Sequence, residues 1–158
     1  MKFYLQCLLI LSSFSCCTVN QSTSSSIGIR TLSNYKLNDN IEVNEPVSYK
    51  YFTKEQDFFN MFHMTKTSVN SAIVPDFATQ SVVAIMLKPS SKVIELEIKE
   101  AKLTGENLKI NYTITDTTSW NTYEQIVTVV ATIPKSQSIK TISFFTKGEK
   151  AYSIKAEQ

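Results

Sequence analysis

His63 is the single histidine of the chain, and it stands between two methionines in Met61-Phe62-His63-Met64. Thioether and imidazole donors suit monovalent copper, so the cluster is a candidate soft-metal site and a copper carrier is one reading. The spacing argues against it. On a helix, Met61 and Met64 share a face while His63 points elsewhere, so one ion is hard to enclose. Methionine beside phenylalanine more simply fills a core. No metal and no cofactor is expected. The single imidazole also weighs against nucleophilic catalysis, which needs a serine or cysteine beside a base. Among the 14 carboxylates any two could meet in space, as glycosidic chemistry would require. Glu95, Glu97 and Glu100 most simply form the solvated face of a sheet. The three glycines, Gly28, Gly105 and Gly148, make no phosphate-cradling loop. The expectation is a protein that is not an enzyme.

The segment Asp116–Glu124 (DTTSWNTYE) holds the only tryptophan, Trp120, together with Asn121 and Tyr123. It reads as a polar loop between two strong strands. Aromatic side chains on such a loop anchor partner contacts, so Asp116, Trp120, Asn121 and Tyr123 are the expected contacts for a protein or glycan. The competing reading folds Trp120 back over the core edge. A nucleic-acid partner is not expected. The net charge is only +2, and the lysines are scattered rather than gathered into a basic stripe. Asn111-Tyr112-Thr113 fits a glycosylation acceptor, but it lies mid-strand and matters only in a eukaryotic secretory setting.

The elements that must position these residues are mostly strands. Ile27, Ile29 and Thr31 suggest a short opening strand. Ser81–Lys88 (SVVAIMLK) is a near-continuous apolar run, expected as a central strand buried on both faces. Lys92–Ala101 alternates Ile94, Leu96 and Ile98 with charged residues, and Leu108, Ile110, Tyr112 and Ile114 repeat the pattern. Gln125–Ile133, Ile139–Phe145 and Tyr152–Lys155 complete the strand candidates. Thr104-Gly105-Glu106, Lys88–Ser91 and Pro134-Lys135-Ser136 are the expected turns. One helix is expected after Thr53, whose hydroxyl would cap it with Gln56 in a capping box. Phe58, Phe59 and Phe62 would lie on its sheet-packing side. Pro75 forces an extended approach and Asp76 can begin a turn. The fold class that follows is α+β, mainly β: an antiparallel sheet or sandwich of five to seven strands with one helix on its N-terminal side.

The N-terminal segment carries an address. Met1-Lys2 is followed by the apolar run Phe3–Phe14, about a dozen residues, which is signal-peptide length and too short to span a bilayer. Ser15-Cys16-Cys17 then resembles the lipobox of bacterial lipoproteins, whose cysteine becomes the acylated N-terminus. The resemblance implies a signal peptide over 1–15, lipidation at Cys16 with Cys17 as the alternative, and membrane attachment. Two or three acyl chains, at ~0.8 kcal/mol per buried methylene, hold a protein permanently. A polar tether (16–26) and a single β-rich domain (27–158) would follow. No cysteine occurs after Cys17, so the domain has no disulfide framework. The tether carries no acidic run after the cysteine. The expected location is therefore the bacterial envelope, at the outer membrane facing the periplasm, with secretion as the alternative.

The helix bearing Phe58 and Phe62, the segment Pro75-Asp76-Phe77, the buried strand Val82–Leu87 and the hairpins after it resemble exported lipoprotein domains of the PrcB type, named for a protease-complex subunit. That resemblance implies a peptidase inhibitor or protease accessory role. After the buried strand that family often has a Thr-Gly-Gly-Tyr-like turn. This chain has Lys88-Pro89-Ser90-Ser91, without the glycines that let such a loop enter a protease cleft.

Overall fold

The computed structural model describes residues 24–65 and 73–156. The elements are β1 (Ser24–Ile27), β2 (Arg30–Thr31), β3 (Tyr35–Leu37), β4 (Val47–Phe52), α1 (Glu55–Met61), β5 (Phe62–Met64), β6 (Gln80–Leu87), β7 (Ser90–Thr104), β8 (Asn107–Gln125), β9 (Thr128–Pro134), β10 (Thr141–Thr146) and β11 (Glu149–Lys155). The expected signal peptide and Cys16 lie outside the described residues, as does most of the expected tether. Ser24–Ser26, expected in that tether, instead pair with Lys102–Thr104 as the edge of a sheet.

The mainly β α+β class is the one the chain adopts. One sheet has the order β1-β7-β8-β10-β11, a second β2-β9-β6-β4, and β3 pairs with β5 in a small third sheet. Two expectations change. Eleven strands are formed among the described residues rather than five to seven: the expected opening strand is two, β1 and β2, and β3, β4 and β5 lie outside the expected set, β3 and β5 being too short to show a period. The pairing is also not wholly antiparallel, since β10 runs parallel to β8 from Thr141↔Asn107 to Phe145↔Asn111. The chain leaves β8, crosses the second sheet as β9 and returns as β10. Two reversals bring it back in its original direction.

The central strand β6 is buried on both faces, as its apolar run demands. Val83 and Ile85 face the first sheet, packing with Leu108, Ile110, Ile142 and Phe144. Val82, Ala84 and Met86 face the other way, toward Phe52, Phe58 and Phe62. The phenylalanine stripe is therefore core. The Phe58 ring lies 5.0–5.8 Å from those of Tyr35, Phe52, Phe59, Phe62 and Phe77.

The helix departs from expectation at both ends. Its N-cap is Lys54, with no side-chain cap, so the Thr53–Gln56 capping box is not formed. At the other end Phe62 turns extended and pairs with Leu37, which places His63 and Met64 on a strand rather than on the helix. The amide of Asn38 takes over as a cap from another element. Its Nδ2 donates to the carbonyls of Phe59 (3.2 Å) and Asn60 (2.9 Å), and its backbone N–H donates to Met61 O at 2.8 Å.

Turn chemistry follows the sequence closely. Gly105, with φ 59°, opens the two-residue loop of the β7–β8 hairpin, the first central position where a II′ turn needs glycine. Lys147 (φ 52°) and Gly148 (φ 82°) form the β10–β11 loop, both left-handed as a I′ turn requires. Asp76 starts the turn into β6. Its carboxylate accepts from the Ala78 N–H (3.0 Å) and the Thr79 hydroxyl (2.8 Å), which hold its pKa below the usual value.

Candidate functional site

The segment Asp116–Glu124 is not a loop. It is the far end of β8, and its backbone is paired to β7. What looked like loop polarity is a heavily bulged strand. From Ser90 to Ile94 the β7 chain advances four residues, while its partner runs nine, from Gln125 back to Asp116. Extra residues in one strand leave part of its backbone unpaired, strengthen the twist and re-aim side chains. Here they turn large aromatics outward.

The register shows why this ribbon stands apart. β1 covers β7 only at Ala101–Thr104, and β10 covers β8 only at Asn107–Asn111. Beyond Leu96 and Ile114 no ribbon residue packs into either hydrophobic cluster. Trp120 is 70% exposed and Tyr123 67%, the two most exposed large hydrophobic side chains among the described residues. Trp120 therefore does not fold back over the core. It stands opposite Lys92, whose ammonium bonds Asp116 Oδ2 at 2.6 Å. The hydroxyl of Thr117 donates to Val93 O at 2.8 Å, tying the bulge to its partner strand.

Of the four expected contact residues, Tyr123 also lines a groove of about 440 Å³. Its walls include Glu124 and Gln125 on the same strand, Lys36 on β3, Asn38 and Asp39 beyond β3's end, and Ile126. Asp116, Trp120 and Asn121 lie outside this groove, Trp120 and Asp116 on the ribbon with Lys92. The Asn38-Asp39 side of the groove carried no signal in the sequence beyond a turn-forming Asn-Asp-Asn. Only the pairing of β3 with β5 and the packing of Ile126 bring it against β8.

The other chemical candidates are accounted for structurally. His63 Nδ1 and Asn38 Oδ1 share a hydrogen bond of 2.8 Å, so this ring nitrogen belongs to the network that caps the helix. Met61 packs against the helix-side core, while Met64 is exposed on β5, so the methionines of the expected copper cluster point into different surroundings. Among the described residues no three of His, Cys, Asp and Glu are placed to hold a metal ion. Glu95 and Glu97 are exposed on β7, as a solvated face requires. Glu100 is fixed by Lys102 Nζ at 2.7 Å and Asn111 Nδ2 at 2.7 Å, which lower its pKa. None of the described helices is long and apolar enough to cross a membrane.

Compared with known proteins, the chain matches no family model, no curated protein and no solved structure.

Proposed function

We propose that this chain is a non-enzymatic binding or accessory module, tethered to the bacterial envelope through Cys16, that meets a protein partner with the distal β7–β8 ribbon. The observation that carries the reading is the bulged end of β8, where Trp120 and Tyr123 are offered to solvent away from any core. Large, stiff aromatics that bury on association supply much of an interface's free energy, and they need little ordering to do so. The groove beside Tyr123 adds the polar groups of Lys36, Asn38, Asp39 and Glu124, which would fix orientation. A glycan ligand is the other outcome of the same test.

The address is tested by growing cells on a clickable fatty acid, comparing the intact chain with Cys16→Ala and Cys17→Ala. Label lost only with Cys16→Ala supports the anchor, and an unlabelled intact chain makes this a secreted domain. The surface is tested by placing a photo-crosslinking residue at position 121 in the full chain at the membrane. A defined protein adduct that disappears with Trp120→Ala, at unchanged melting temperature, supports the reading. An adduct indifferent to Trp120→Ala overturns it. The PrcB-like reading rests on the order of α1, the turn at Pro75-Asp76-Phe77 and the buried β6. It requires inhibition or recruitment of a protease, which a panel assay decides.

A further inference from the structure

The two large sheets are joined on one side and open on the other. On the joined side the chain itself passes from β1 in one sheet to β2 in the other through Gly28-Ile29. On the open side lie the edge strands β4 and β11, with no strand pairing between them. Tyr49 of β4 bridges the gap. Its ring stacks on Tyr152 of β11 at 5.1 Å and 8°, and its hydroxyl shares a 2.6 Å hydrogen bond with that of Tyr112. Grooves of about 560 and 350 Å³ flank this stack along the length of β4.

All six residues of β4 pair with β6 on one side; on the other no strand is hydrogen-bonded to it among the described residues, and β11 reaches it through the Tyr152 ring. An edge of that length is a template for another strand. Its charge says which kind. Lys50 and Lys54 on the β4 side and Lys155 on β11 line the central groove, against the single carboxylate of Asp57. Four lysines of the described residues hold a carboxylate: Lys92, Lys99, Lys102 and Lys140. Lys50, Lys54 and Lys155 form no such pair among the described residues. A second copy of this chain is a poor occupant, because edge-to-edge pairing would set Lys50 near its own counterpart.

We propose that the free edge of β4 takes an acidic peptide in extended conformation as an added strand. The peptide's backbone would pair with Val47–Phe52 while its carboxylates meet Lys50, Lys54 and Lys155. This edge is distinct from the β7–β8 ribbon, and it stands or falls without the envelope reading.

The test uses the full chain in detergent micelles and a fluorescein-labelled Glu-Val repeat hexapeptide. Its controls are the Lys-Val repeat and a Glu-Val repeat N-methylated at alternate residues. Saturable binding of the acidic peptide, absent for the basic one, is expected. It should slow hydrogen exchange at Val47–Phe52. The triple variant Lys50→Glu, Lys54→Glu, Lys155→Glu alters exposed side chains only, should melt as the parent does, and should bind at least about tenfold more weakly. N-methylation, which removes backbone donors and leaves charge intact, should weaken binding about tenfold or more. If the N-methylated peptide binds as well as the parent, the lysines merely attract anions and the added strand is refuted. No binding at millimolar peptide also refutes it, and leaves the lysines as guards against self-pairing of the edge.

Discussion

Replacing Tyr49 by phenylalanine removes one oxygen atom at the point where β4 meets the opposite sheet. The structure makes the cost asymmetric. Tyr112 is 2% exposed, so once Tyr49 loses its hydroxyl the Tyr112 hydroxyl is left buried with no partner, at about 1–3 kcal/mol. Tyr49 is only partly buried, so in Tyr112→Phe its hydroxyl can turn to water, and about 0.5–1 kcal/mol is lost. The double variant orphans neither group and should be more stable than Tyr49→Phe alone. At roughly 3–5 °C per kcal/mol for a domain of this size, Tyr49→Phe should melt about 3–15 °C below the parent. The assay is urea and thermal unfolding of the four proteins as a double-mutant cycle. The reasoning fails if Tyr112→Phe costs as much as Tyr49→Phe. It fails also if the two single losses simply add in the double variant.

Three further outcomes follow from the same geometry. Burial, with the Tyr112 hydroxyl adding, pushes the Tyr49 phenol above its usual pKa of 10.0, and burial does the same for Tyr35. Their contribution to stability is therefore whole below about pH 10 and is lost as pH rises beyond it, so the parent should lose melting temperature there more steeply than Tyr49→Phe. Because Trp120 is the only tryptophan and is exposed, native emission should already lie near that of tryptophan in water, and unfolding should barely move it. A blue-shifted native spectrum would put Trp120 in a core, and Trp120→Ala should change stability by no more than about 0.5 kcal/mol. Phe58→Ala should cost about 3–5 kcal/mol, since its ring is wholly buried among five others, and a loss under about 1 kcal/mol by urea titration would contradict that packing.

Local rules determined a good part of this protein from sequence alone. An apolar run without alternation is buried on both faces wherever it lies, and Val82–Leu87 became the central β6. Period-two alternation identified β7 and the first half of β8, and Gly105 and Asp76 marked turns because their backbone and side-chain chemistry is local. The phenylalanine stripe was legible as core for the same reason. The helix ends were not, because they are decided by a partner far along the chain: β3 draws Phe62–Met64 into a strand, and Asn38 caps the last turn. The Asp116–Glu124 segment failed differently. Polar, bulged strand and polar loop have the same composition, and only pairing with Ser90–Ile94 separates them. Exposure of Trp120 and the Tyr123 groove, like the lysine-lined edge of β4, are relations between residues tens of positions apart. Such relations arise from how sheets stack and where they end. A one-dimensional pattern records which face a side chain takes, but not what stands opposite it.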